Sequence, residues 1–304
     1  VSVDRARVDE AAVRIAPFVH RTPVLRSHAL DHWVDAHVFV KAEHLQRVGA
    51  FKYRGATNAV QSLTESGARR GVAAHSSGNH GAALALAADA RGVPAYVVMP
   101  KTASTAKRAA VRRYGAEVTL CDDSLDARRA VLAEVLDRTG AVEIHPFDDE
   151  RVIAGAGTAA LELTQEVPDL DVVVTPIGGG GLCSGTCVAV APIRVIGGTP
   201  RDRASTVADG LRTGCSARTK AILDEHDVEQ IVVDEADIVG AMRVVWERTK
   251  QVIEPSAAVA FAAAHAAKLD GARVGVICSG GNVDLDALPW SSATSRQLRR
   301  SARG

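Results

Sequence analysis

Net charge is the first thing this 304-residue chain lacks: Lys plus Arg and Asp plus Glu balance at 36 each. No long-range field therefore draws it to nucleic acid or to an anionic membrane. Arg299, Arg300 and Arg303 near the end of the chain read as a frayed terminus rather than a binding arm. No apolar run reaches the roughly 20 residues that span a bilayer. Asp4, Arg5, Arg7, Asp9 and Glu10 stand where a secretory leader would have its apolar core, so a cytoplasmic protein is expected. The five cysteines, Cys121, Cys183, Cys187, Cys215 and Cys278, are an odd number without framework spacing, which argues for reduced thiols. Cys183 and Cys187 would share a helix face at i and i+4, but with no second pair nearby they read as small buried residues, and no metal is expected there. The scattered His20, His28, His32 and His37 make no ligand pattern either. There is no Walker motif, no Gly-Lys dipeptide, no strict GxGxxG, no GxSxG elbow and no HExxH, which leaves nucleoside triphosphate, serine hydrolase and zincin chemistry without their signatures.

Lysine is scarce too, at seven of the 36 basic residues. One of the seven sits in Gly49-Ala50-Phe51-Lys52-Tyr53-Arg54-Gly55-Ala56, between two bulky rings with small residues outside them. A lysine beside an aromatic often only snorkels at the surface, whereas a desolvated one is an amine nucleophile.

Three glycine-rich loops follow short apolar runs. Val72-Ala73-Ala74-His75 leads into Ser76-Ser77-Gly78-Asn79-His80-Gly81 and an alanine-rich run; Val172-Val173-Val174-Thr175 leads into Gly178-Gly179-Gly180-Gly181; Val274-Gly275-Val276-Ile277 leads into Ser279-Gly280-Gly281-Asn282. Tight connections in α/β proteins use glycine without any ligand. A strand, a glycine turn and a helix start nonetheless converge free backbone N–H groups on one point, and four successive glycines can close around a tetrahedral anion such as phosphate. Strand-like and helix-like patterns alternate along the chain, which predicts an α/β fold of parallel-rich sheets covered by helices. Residues 93–99 and 116–121 read as strands, 104–114 as a helix, and Asp123 or Ser124 caps a helix running to Arg138.

A lysine nucleophile beside a phosphate cradle points to a cofactor with both an aldehyde and a phosphate, pyridoxal 5'-phosphate. The series of residues 49–56, His75 through Gly81, the four glycines, Ala208-Asp209-Gly210, Glu254-Pro255-Ser256 and Ser279-Gly280-Gly281-Asn282-Val283-Asp284 resembles the serine racemase and threonine/serine dehydratase family of fold type II pyridoxal-phosphate enzymes, in unbroken order over residues 20–285. The resemblance implies a tryptophan synthase β-like fold of two domains. A large cofactor-binding domain would come from residues 1–70 and 148–304, and a small substrate-side domain from 71–147, with the site between them and a homodimer as the assembly.

By the same resemblance, Lys52 is the Schiff-base lysine and Phe51 lies beside the pyridine ring. Gly178, Gly179, Gly180, Gly181 and the Leu182 amide form the phosphate cup. Asn79 meets the ring hydroxyl, Ser279 the pyridine nitrogen, Gly210 the ring's other face, and Glu254 lies close to the cofactor. Ser76, Ser77, Asn79 and His80 receive the carboxylate of a small amino-acid substrate, Arg128 aligns with a substrate-side arginine, and Ser77 matches the second-face proton carrier of racemases. His75 reads as structural. The activity implied is conversion of threonine or serine to a 2-oxo acid and ammonia, with Lys52 as the base at Cα. Racemisation of serine or aspartate, and dehydration of hydroxyaspartate, stay open on the same scaffold. A β-replacement synthase fits the Lys52 segment less well, and a non-catalytic amino-acid-binding protein would be expected to have lost Lys52.

The chain departs from the family pattern in places. Ala50 replaces a serine common before Phe-Lys, and Thr199 and Ser205 stand where metal-dependent relatives place acids, so activation by a divalent metal is not expected. The chain ends shortly after Asp284, and feedback inhibition by isoleucine through a further domain is not expected.

Overall fold

The computed structural model describes residues 3–76, 78–103 and 105–291. α1 (Arg5–Ile15) precedes β1 (Val24–Arg26), α2 (His28–Val34) and β2 (His37–Lys41); α3 (Lys52–Gln61) and the short α4 (Glu65–Arg69) follow. Next come β3 (Val72–His75), α5 (Asn79–Arg91), β4 (Ala95–Pro100), α6 (Thr105–Arg113), β5 (Glu117–Cys121), α7 (Leu125–Thr139) and β6 (Val142–Glu143). The chain continues through α8 (Glu150–Glu166), β7 (Val172–Pro176), α9 (Gly181–Val190), β8 (Arg194–Pro200), α10 (Ala217–Glu225), β9 (Glu229–Val233), α11 (Glu235–Thr249), α12 (Pro255–Ala266) and β10 (Arg273–Ile277).

The strands form a six-stranded sheet ordered β1-β2-β10-β7-β8-β9 and a four-stranded sheet ordered β5-β4-β3-β6. Only the β1–β2 pair is antiparallel among these. The valine runs of β7 and β10 lack polar alternation because both faces of a central parallel strand are covered by helices; β7 is buried along its whole length. In register, Val274 of β10 lies between Val38 of β2 and Val172 of β7, so β7 and β10 finish side by side. The loops that leave their carboxyl ends open on one edge of the sheet, where α/β folds bind ligands. This is the parallel-rich, helix-covered α/β architecture that the alternating pattern predicts.

Local differences from expectation have simple causes. β4 begins at Ala95 rather than Val93: Pro94 has no N–H for the ladder, but its carbonyl accepts from Val72 N at 2.9 Å. Ser124, not Asp123, caps α7, its Oγ accepting from Ala127 N, because the Asp123 carboxylate is taken by Arg128. As the pattern predicts for at least two of the three glycine loops, two open α-helices, α5 and α9, and the third is followed by a short 3-10 turn at Leu285–Ala287.

Helix α8 is the spine that fixes the site. Its Gly155 lies against α3, where an added Cβ would come within 2.7 Å of Arg54 O, and its Gly157 lies against α9, where one would come within 2.5 Å of Gly185 O. Only glycine permits backbones this close. The helix carrying Lys52 and the helix opened by the glycine run therefore rest on one support. An ion network buried except at Glu162 locks the same region: Arg54 donates to both carboxylate oxygens of Glu43 and of Glu162 at 2.7–2.8 Å, and Lys41 reaches Glu162 and Thr22 O, each at 2.6 Å.

Candidate active site

Lys52 is the first residue of α3, so its side chain leaves the helix at the end facing the cleft. Its Nζ donates to Pro146 O at 2.7 Å and lies 5.1 Å from the Phe51 ring centroid. Tyr53, the other ring expected to flank it, is turned away and fully buried, under the Arg47 guanidinium; one helical step separates it from the cleft. Burial lowers the Lys52 amine to about 8, with Glu254 opposing the shift. Enclosure by protein thus supplies the desolvation that a reactive amine needs.

The four glycines join β7 to α9. Gly180 sits at φ +89°, and an added Cβ there would lie 2.7 Å from Thr219 Cβ; at Gly179 it would lie 2.3 Å from the Phe147 ring. The N–H groups of residues 178–180 have no acceptor among the described residues. They and the first turn of α9 form a bare, donor-rich pocket with the positive end of a helix dipole behind it.

Across the cleft, Asn79 opens α5 and donates from Nδ2 to both oxygens of Glu254, at 3.0 and 3.1 Å, while its Oδ1 accepts from Asn282 Nδ2. Burial raises the Glu254 carboxyl to about 7, helped by the charge of Asp209 and opposed by the hydrogen bonds from Asn79 and Asn282. Ser279 is buried at the end of β10, and its carbonyl accepts from Phe51 N at 3.0 Å. Gly210 N donates to Ser256 Oγ at 3.1 Å.

One cavity of about 550 Å³ gathers Lys52, Phe51, Ser76, Asn79, His80, Arg128, Gly178, Gly179, Gly180, Gly181, Leu182, Gly210, Glu254 and Ser279 in its lining. Ser77 lies outside the described residues. Ser76 Oγ is engaged locally, accepting from Gly78 N and Gly81 N, so it shapes the loop that opens α5. His80 donates from Nε2 to Ile144 O, which leaves Nδ1 a buried acceptor with no partner among the described residues; burial and Lys52 pull its pKa down to about 3. His75 is likewise lowered to about 4 by burial and by His145, Arg128 and Arg129, so both imidazoles are neutral near pH 7. Arg128 pairs with Asp123 through Nη2 at 2.6 Å, yet its Nε is buried without a partner among the described residues.

Sequence reasoning missed Phe147, which walls the glycine loop, and Thr219, whose Oγ1 donates to Gly179 O at 2.8 Å. Neither belongs to a motif. Ser256 and Asn282 stand inside two of the motifs, but the motifs alone assign them no role. Thr199 Oγ1 is buried, Ser205 donates to Asp202, and no cluster of three or more His, Cys, Asp or Glu able to hold a metal ion occurs among the described residues.

The donor set fits a phosphate-bearing aldehyde: a cradle in which any Cβ would collide, unpaired amides lining it, and a desolvated amine in the same cavity. Residues 15–280 match the family model described as pyridoxal-phosphate dependent enzyme. The chain is 44% identical over 301 residues to the beta-hydroxyaspartate dehydratase of Paracoccus denitrificans, covering 91% of this chain and 96% of that protein. Among solved structures, maize serine racemase superimposes with a TM-score of 0.92 at 38% identity, covering 99% of this chain and 100% of that one. The serine racemase of Dictyostelium discoideum superimposes with a TM-score of 0.89 at 42% identity, covering 94% and 100%. A threonine deaminase from T.th. superimposes with a TM-score of 0.87 at 37% identity, covering 93% and 99%.

Proposed function

The chain belongs to the pyridoxal-phosphate dependent enzymes, and on that premise we propose that it is a dehydratase turning a small β-hydroxy amino acid, threonine or serine, into a 2-oxo acid and ammonia. The observation that carries this reading is a buried, lowered amine on the cavity wall, with no histidine among the described lining residues able to act as a second base. Lys52, lowered to about 8, can hold a proton taken from Cα, whereas His75 and His80 lie too low to share that task. Elimination needs one base at Cα, while racemisation needs proton carriers on both faces.

In this proposal the amides of residues 178–182 would hold the cofactor's phosphate, Asn79 would meet its ring hydroxyl and Ser279 its pyridine nitrogen, and Phe51 and Gly210 would flank its ring. When bound, the cofactor supplies an aldehyde that condenses with amines and a ring that withdraws electrons from Cα. The Ser279 hydroxyl is neutral and lends that ring no charge, which suits a short-lived carbanion. Glu254 holds Asn79 in place through its two oxygens. The loop opening α5 presents a helix N-terminus to the substrate carboxylate. Residues 71–147, which carry the four-stranded sheet, form the substrate-side lobe of the proposal.

One observation favours a second reading, a β-hydroxy dicarboxylate such as hydroxyaspartate. Arg128 and Arg212 both line the cavity, and these guanidinium groups could receive a second carboxylate. Incubation with L-threonine, L-serine and 3-hydroxyaspartate, with 2-oxo acid, ammonia and D-isomer measured together, tests both readings. More 2-oxo acid than D-isomer is expected, with ammonia release surviving in Ser77→Ala. Mainly D-serine or D-aspartate with little ammonia would replace the dehydratase by a racemase.

A further inference from the structure

Arg203 lies in the loop after β8, half-buried, and makes no salt bridge to a carboxylate among the described residues. Its Nη1 instead faces four backbone carbonyls: Ile177 O at 3.0 Å, Gly178 O at 3.5 Å, Leu211 O at 3.0 Å and Thr213 O at 3.1 Å. The first two belong to the strand-end run that becomes the glycine cradle. The other two belong to the segment that carries Gly210 and lines the cavity beside it.

In a trans peptide the C=O of one residue and the N–H of the next point in opposite directions. A cation holding Ile177 O and Gly178 O from behind therefore aims the N–H groups of Gly178 and Gly179 forward, into the cleft, where they have no acceptor among the described residues. Thr219 extends the pattern by one peptide: its Oγ1 holds Gly179 O at 2.8 Å, which aims the Gly180 N–H. Glycines have no side chains to fix these orientations, and their backbones are the freest of any residue. A fixed positive charge on the carbonyl side also polarises the peptides, so the amides become stronger donors to an anion.

We propose that Arg203 is the positioning residue of the phosphate cradle: it orients and polarises the peptides of residues 177–179 and ties them to the 211–213 segment over the cofactor site. Arg203 touches neither cofactor nor substrate and acts through the backbone. The proposal rests on the cradle holding the cofactor phosphate, and its test separates that premise from the role of Arg203.

Cofactor-free protein is titrated with pyridoxal phosphate and, separately, with pyridoxal, and binding is followed by absorbance. In Arg203→Met the Kd for pyridoxal phosphate should rise at least tenfold while the Kd for pyridoxal stays within twofold, because only the phosphate feels the cradle. Arg203→Lys keeps a charge, but its shorter side chain ends short of the position of Nη1 among the carbonyls, and it should raise the pyridoxal phosphate Kd about threefold or more. It carries the same comparison if the methionine variant does not fold. Amide hydrogen exchange over residues 209–213 should quicken in either variant. Equal pyridoxal phosphate affinity in wild type and variant, or parallel weakening of both compounds, overturns the role of Arg203 alone. Wild-type protein that shows no preference for the phosphorylated compound overturns the cradle reading as well.

Discussion

Lys52 has to lose a proton before it can react, and in water it would rarely do so. At pH 7.5 about one amine in a thousand is neutral with an ordinary lysine pKa, against about one in four when the pKa is near 8. The lowered value comes from burial, so its pH signature has a definite sign. The rate at which cofactor-free protein takes up pyridoxal phosphate should rise with pH and level off just above 8, as read from the growth of the absorbance band; a rise continuing past pH 10 would show that the amine is not desolvated. The unfolded chain holds this proton more tightly than the folded one between pH 8 and 10.5, so Lys52 makes the cofactor-free protein gain stability as pH climbs through that window. In Lys52→Arg, borohydride should trap no cofactor on the protein and product formation should fall about a thousandfold or more, because guanidinium neither condenses nor deprotonates near neutrality.

At the scale of elements, the site depends on α3 and α9 keeping their places against α8. Close glycine contacts set the separation and the Arg54 network sets the register, since Arg54 is two residues from Lys52 and joins α3 to Glu43 after β2 and to Glu162 on α8. Arg54→Ala strands the buried Glu43 carboxylate, while Lys41 still holds the half-buried Glu162, and should cost about 3–5 kcal/mol in denaturant unfolding of the cofactor-free protein. A loss under about 1 kcal/mol would mean that water or neighbouring groups replace the guanidinium. The elements themselves were largely legible. Apolar runs and glycine loops marked β3, β7 and β10, and the Asp123-Ser124 pair marked the start of α7. The spine role of α8 was not legible, because the sequence shows Gly155 and Gly157 without showing which backbones approach them.

For the whole molecule, the region around Thr199 and Ser205 decides whether a metal takes part. A hard divalent ion wants several oxygen ligands, carboxylates among them. Thr199 is buried at the end of β8, and Ser205 is bound to the exposed Asp202. Turnover should therefore be unchanged, within about twofold, after exhaustive treatment with a chelator. A large loss restored by magnesium or calcium would show that oxygen ligands assemble there. The two sheets also show how one cavity gathers the residues proposed to hold cofactor and substrate. The glycine cradle and Ser279 come from carboxyl ends of the six-stranded sheet, while Asn79, His80 and Arg128 come from segments around the four-stranded sheet.

From the sequence alone came the class of fold, and with it the proposed nucleophile and cradle, because each depends on residue types at fixed short spacing: β-branched runs, four adjacent glycines, a scarce lysine beside a ring. The tertiary structure decided what depends on approach between distant segments. It put Phe51 and not Tyr53 beside the Lys52 amine, lowered that amine by enclosure, tied Ser76 to its own loop, and raised Glu254 by burying it near Asp209. It also placed the Arg203 guanidinium behind carbonyls about 25 residues earlier and about 10 later in the chain. Spacing along a chain encodes neither desolvation nor the direction of a peptide dipole; both arise only when packing fixes which groups face water and which face each other.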